Sequence, residues 1–161
     1  MSGIITDNLG RATGLIKAAG GGGKVLQVVT ATSNTKTDVT STSWATHSKD
    51  ILITPSATSS KVLVMYTFSA TQSGSSDHAF TIFRDDATNL GHATYGLIAQ
   101  TSYGGMSGGR HIATLDSPST TSEVKYSLYS SYPTTTQSVG YGGWSGSVPT
   151  TTIIAMEIDG S

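Results

Sequence analysis

Alternation of apolar and polar positions is the dominant signal along this chain. In "KVLVMYTFS", residues 61–69, Val62, Val64, Tyr66 and Phe68 share one face while Leu63 and Met65 share the other. A period of two with apolar residues on both sides predicts a strand that is covered on both faces. In "EVKYSLYSSY", residues 123–132, Val124, Tyr126, Leu128 and Tyr132 line one face and Lys125, Ser127, Tyr129 and Ser131 the other. That strand is expected to be half-buried. Similar extended, β-branched runs separated by Gly, Pro, Ser and Asn predict further strands, giving residues 24–31, 38–44, 50–54, 61–69, 79–84, 110–115, 123–132, 139–141 and 151–158 in all. Helix periodicity is nearly absent.

Many short strands with turn residues between them predict an all-β fold, a jelly-roll-like β-sandwich. Two strand approaches resemble each other: "TPSATSSKVLVMY" (residues 54–66) and "DSPSTTSEVKYSLY" (residues 116–129) each place a proline, a Ser/Thr cluster and a charged residue before the alternation. Proline cannot donate to a ladder, so each segment marks a corner at a sheet rim. The apolar run "TTTIIAMEID" ends two residues before the end of the sequence and must lie between neighbours, or it would expose an adhesive edge.

Residues 1–23 stand apart. Ile4, Ile5, Leu9, Leu15 and Ile16 recur in a stretch too short and too broken by glycine to build its own core. Such an arm is expected to bury itself against a neighbouring subunit or a docking partner, the bland alternative being a frayed terminus. Gly20–Gly23 then reads either as a phosphate cradle or as a hinge. A Walker A loop fails, because Ala18 stands where the first glycine belongs and Val25 where a hydroxyl must follow Lys24. The next residues, "KVLQVVT", are extended in character and offer no helix N-terminus to an anion. The hinge reading remains, since a run of glycines stays flexible unless something packs on it. The chain thus divides into an extended N-terminal arm with its hinge, residues 1–23, and a β-domain, residues 24–161.

Charge narrows the partners. Charged residues make up 12% of the 161, the net charge is −1 and the nine Lys and Arg are scattered, which argues against nucleic acid. Cysteine is absent, so neither disulfides nor thiolate metal sites hold the fold. No apolar run of about 18 residues and no signal peptide is present, so neither membrane insertion nor Sec export is expected. The chain holds 26 Thr and 24 Ser, a richness in hydroxyls that could mean disorder. They alternate with Val, Ile, Tyr and Leu, however, which predicts strands whose outward faces are uncharged and hydroxylated.

Candidate chemistry is sparse. His47, His78, His92 and His111 lack metal-ligand spacing, and "RDD", Arg84 to Asp86, reads as a turn after a strand. Neither a metal nor a cofactor is expected. No G-x-S-x-G elbow occurs, and Asp77, Asp85, Asp86, Asp116, Glu123 and Glu157 show nothing that separates them from surface acids, so no catalytic residues are assigned and no enzyme is expected. Two loops are more informative: "SYGGMSGG" (residues 102–109) with Tyr103 and Met106, and "GYGGWSGSV" (residues 140–148) with Tyr141 and Trp144. Rigid aromatics among Gly and Ser are the vocabulary of binding loops, and a glycan would suit them; alternatively these aromatics pack on the end of the domain and the glycines only turn the chain.

The words "KVLQVVTATSNTKTDVTSTSW", "ILITPSATSSKVLVMY", "ATLDSPSTTSEVKYSLY" and "TIIAMEID" resemble the small β-rich virion proteins of aquatic tailed bacteriophages, often labelled tail-fibre-like. The likeness covers most of residues 24–158; residues 89–109, richer in glycine, depart from it. The resemblance implies a fibre or knob domain similar in kind to trimeric jelly rolls, made in the bacterial host cytoplasm and carried on the virion. It implies that the arm, through Ile4, Ile5, Leu9, Leu15 and Ile16, docks on other phage virion proteins of tail or capsid, and that the chain forms a homotrimer. It carries no fixed site residues across. The expected function is a tail-fibre-type appendage contacting a host surface glycan; the alternative is a capsid decoration or head-fibre protein that stabilises the shell. A glycan-degrading enzyme would need paired acids in a cleft, and the likeness supplies none.

Overall fold

The computed structural model describes residues 23–72, 76–102, 106–131, 136–141 and 147–160. Among them lie eleven strands and no helix: β1 (Val25–Ser33), β2 (Thr37–Val39), β3 (Ala45–Ile53), β4 (Lys61–Gln72), β5 (Ser76–Arg84), β6 (Thr88–Asn89), β7 (Ile98–Ser102), β8 (Met106–Asp116), β9 (Val124–Ser131), β10 (Gln137–Val139) and β11 (Thr151–Ile158). Every pairing is antiparallel. In the first sheet β4 pairs β8 along one edge, and along the other it pairs β11 and then β10, which in turn pair β1 and β2. In the second sheet β3, β9 and β5 lie in order, and β6 and β7 share the far edge of β5. The two sheets pack face to face as a β-sandwich.

Each of the nine predicted segments overlaps a strand. The segments at residues 54–60 and 117–123 carry the chain from one sheet to the other, which is why the two share a proline and a hydroxyl cluster. Some expectations need correction. Leu63 and Met65 are only half-buried, so β4 has one covered face and not two. Strand β9 is buried on both faces, Tyr129 included, because Phe83 stacks on Tyr129 at 4.1 Å and Trp44 packs beyond it. Residues 106–109, expected as loop, belong to β8 and pair with residues 69–72 of β4; ladder hydrogen bonds there override the low strand propensity of Gly108 and Gly109. The arm, residues 1–22, lies outside the described residues.

The core joins the inward face of β4 (Val62, Val64, Tyr66, Phe68, Ala70) to Ile51, Ile53, Phe80, Ile82, Val124, Tyr126 and Leu128 of the opposite sheet. Polar ties cross it. The Tyr66 hydroxyl reaches over to the other sheet and shares its proton between the carbonyls of Lys49 at 2.9 Å and Tyr126 at 2.8 Å. At the rim, Arg84 donates to both oxygens of Asp116 at 2.9 Å, and the Tyr126 hydroxyl donates to the same carboxylate at 2.8 Å.

Two buried groups have pKa values well below their ordinary ones. His47 is 1% exposed, with its ring nitrogens paired to Ser130 Oγ at 2.7 Å and Thr37 Oγ1 at 3.3 Å; burial pushes its pKa down to about 4. Glu157, also 1% exposed, accepts from the backbone N–H and hydroxyl of Ser56, the hydroxyl of Ser60 and the amide of Gln27. Burial raises its pKa, but these hydrogen bonds outweigh it and leave the carboxyl at about 2.

For both groups the unfolded chain binds more protons than the folded one, so stability rises with pH. The contribution of His47 is whole above pH 6.5 and falls away toward pH 4. The integrated loss is on the order of 3 kcal/mol. That of Glu157 is whole above pH 4.5 and falls away toward pH 2. Urea unfolding at pH 7 and pH 4 should therefore differ markedly for the natural chain and much less for His47→Gln; equal pH dependence in the two contradicts the assignment. Tyr66→Phe should cost about 1–3 kcal/mol in thermal or urea unfolding with strand content unchanged by circular dichroism.

Candidate functional site

The outer face of the second sheet is roofed by its own chain. Residues 90–97 fold back over β5, pinned by Leu90 N–H to Ile82 O and Leu97 N–H to Phe80 O, each 2.9 Å. Within this strap His92 and Gly96 exchange backbone hydrogen bonds of 3.0 and 2.9 Å. Trp44 holds it down by donating from Nε1 to the Ala93 carbonyl at 2.7 Å. Asn89 accepts from Thr81 Oγ1 at 2.6 Å and from Gly91 N–H at 2.9 Å, fixing where the strap begins. Glycine is required at position 96: φ is +61°, and a Cβ there would lie 2.4 Å from the Phe80 carbonyl oxygen.

The strap presents an aromatic plane. His92 Nδ1 accepts the backbone N–H groups of Thr94 and Tyr95, both at 3.2 Å, and its ring stacks on Tyr95 at 5.0 Å and 22°. Tyr95 is nevertheless 63% exposed, the most open of the large apolar side chains among the described residues. Beside it lies a pocket of about 360 Å³, walled by Tyr95 and Thr94 of the strap, Asp77 and His78 of β5, Gln100 and Thr101 of β7, and Thr42 and Ser131. The Thr101 hydroxyl donates to the Asp77 carboxylate, and Ser131 Oγ donates to the Thr42 carbonyl at 3.1 Å. One carboxylate, one imidazole, one primary amide, several hydroxyls, two alanine methyls and one aromatic face make up the wall, a mixture that offers both hydrogen bonds and apolar contact.

Of the residues expected to form binding loops, Tyr141 is not among those that line this pocket. Tyr103 and Trp144 lie outside the described residues, as do Ile4, Ile5, Leu9, Leu15 and Ile16. Met106 opens β8, its backbone paired with Gln72. Tyr141 is half-buried over the first sheet: its carbonyl accepts from Ser69 and Thr71, and Lys36 Nζ sits 5.0 Å above its ring. The pocket instead uses "GHATYG", residues 91–96, an aromatic bracketed by glycines as in the two expected loops, within the segment that departs from the resemblance.

Asp77 and His78 line the pocket and His92 backs Tyr95; the remaining titratable groups lie elsewhere. His47 and His78 are buried, and His111 pairs with Thr67 on the opposite sheet at 3.1 Å. Asp116 and Glu157 are buried structural acceptors rather than surface acids. The turn at Asp85 and Asp86 has positive φ at both residues, and Asp86 accepts from Lys125, Tyr129 and Ser127. Among the described residues no group of three or more His, Cys, Asp or Glu converges as metal ligands do.

No protein-family model matches the chain, and no curated protein matches it. Gly96→Ala should destabilise the protein by about 1–3 kcal/mol. Amide hydrogen exchange should place the loosening in residues 90–97; an unchanged exchange pattern there contradicts the role given to this glycine.

Proposed function

We propose that this protein is a bacteriophage virion structural protein, an appendage of tail-fibre type that contacts the host surface through the pocket beside Tyr95, with a saccharide as its ligand. The virion reading rests on the resemblance of most of residues 24–158, apart from residues 89–109, to small phage virion proteins. The strand order, β1–β11–β4–β8 facing β3–β9–β5–β7 once β2, β10 and β6 are counted as extensions, supports the jelly-roll reading of the sandwich. In this reading residues 1–23 dock on tail or capsid proteins, and the glycines let the body set its own angle outside them.

The observation that carries adhesion is the exposed, His92-backed face of Tyr95 next to Asp77, Gln100 and the threonines. A sugar ring packs its C–H face on such an aromatic while its hydroxyls pair with the carboxylate, amide and hydroxyls. The pocket brings one carboxylate to its wall, whereas glycoside hydrolysis commonly uses two, so holding rather than cleaving is the chemistry supported. Repetition of a weak site over several copies on one particle raises its avidity without any new contact.

Full-length protein should adhere to host cells and to a glycan array, and Tyr95→Ala and Asp77→Asn should each weaken that binding at least tenfold while the thermal unfolding midpoint stays put. Binding unchanged in both variants but lost in Tyr103→Ala and Trp144→Ala moves the site to the other loops. Electron microscopy of particles should place the chain on the tail; placement over the shell replaces this reading with capsid decoration.

A further inference from the structure

The two outer faces of the sandwich are treated unequally. The second sheet is covered over β5 and β9 by residues 90–97, Trp44 and the turn at residues 85–86, while the outer positions of β3 stay open. The first sheet, among the described residues, is bare across four strands. Its register brings Val28, Met156, Leu63 and Leu115 into one transverse row and Thr30, Ile154, Met65 and Ala113 into the next. Val28 and Leu115 are each 53% exposed, and Leu63, Met65, Ile154 and Met156 are half-exposed.

The geometry points to this face as the surface through which one copy of the chain packs on another. Three lines lead there. The rows carry no charged residue; Thr32, Thr152, Thr67 and His111 border them on one side and Lys61 on the other, so two copies set row on row bury no charge at the centre. With strands about 4.8 Å apart and same-face residues about 7 Å apart, the patch and its rim span several hundred Å². That is at the upper end of what a monomer leaves bare and approaches the apolar centre of an interface of about 800 Å² per partner. Finally, the face is an ordered ladder of paired strands. A second ladder packs on it with little loss of conformational freedom, whereas a glycine-rich sequence such as that of residues 1–22 loses more backbone entropy on packing. That segment also leaves from its corner, where Gly23 lies directly against the Ile158 side chain of the same face.

This assignment gives a place to the self-association expected from the sequence and holds whatever the pocket binds. Sedimentation or light scattering of the full-length chain at about 10 µM should give two or three times the mass of one chain. Val28→Glu and Leu115→Lys, both at exposed positions, should each shift the dissociation constant at least tenfold toward single chains. Leu52→Lys, an equally exposed leucine of the second sheet, should leave the mass unchanged. Thermal unfolding at high dilution checks that the variants fold. A full-length monomer, an oligomer indifferent to both substitutions, or a monomer that associates only once residues 1–22 are deleted each overturns the proposal, the last by naming the arm as the occupant.

Discussion

The buried Tyr66 hydroxyl is the central one of several polar bonds that tie the two layers of this sandwich together. Apolar side chains hold sheets against each other without fixing how they lie, because the hydrophobic effect has no direction. Tyr66 supplies direction: from the middle of β4 it crosses the core and shares its proton between carbonyls of β3 and β9. It does so beside the irregularity in β3, where Thr46 pairs Tyr129 but Asp50 pairs Ser127. Four steps along β3 match two along β9, so two residues are extra, and Ser48 takes a positive φ of 51° to fit. An even insertion leaves the alternation of faces intact, so His47, Lys49, Ile51 and Ile53 all still point inward.

That irregularity also explains the polar end of the core. It feeds His47 and Lys49 into the interior, where each finds neutral partners. Lys49 is 2% exposed and spends all three ammonium protons on Ser33 Oγ, Thr35 O and Thr35 Oγ1 at 2.8–2.9 Å, while burial lowers its pKa. Paired in this way, the two residues fasten β3 to the β1–β2 connection instead of offering a reactive group. Glu157 does the same at the opposite corner, gathering residues 56 and 60 and β1 around one carboxylate. Perturbed titration therefore marks architecture here.

The division of labour between the outer faces follows from the connections. The chain passes directly between sheets at residues 54–60 and 117–123, but between β5 and β8 it lingers on the second sheet, adding β6, the strap and β7. The same detour covers one outer face and builds a concavity on it. The first sheet receives no such cover among the described residues. The pocket and the bare apolar rows thus lie on opposite faces of the sandwich.

Much of the fold is legible along the chain because alternation is a local property. Val62, Val64, Tyr66 and Phe68 announce an inward face wherever β4 is placed, and the two proline-led segments announce corners. The strands that alternation leaves out or cuts short, β6, β7 and the start of β8, contain Thr, Asn, Gln and Gly, and their pairing comes from the partner strand rather than from their own preference. The pocket is hidden for a like reason: Asp77, Tyr95 and Gln100 carry no pattern along the chain and meet only because Gly96 folds the strap over β5. By itself the sequence determined the all-β class, the buried face of most strands and the corners, since each depends on residues a few positions apart. Which outer face is roofed, where Tyr95 is aimed and how two extra residues in β3 are absorbed were decided by tertiary contacts between residues far apart in the chain, and no local period encodes those.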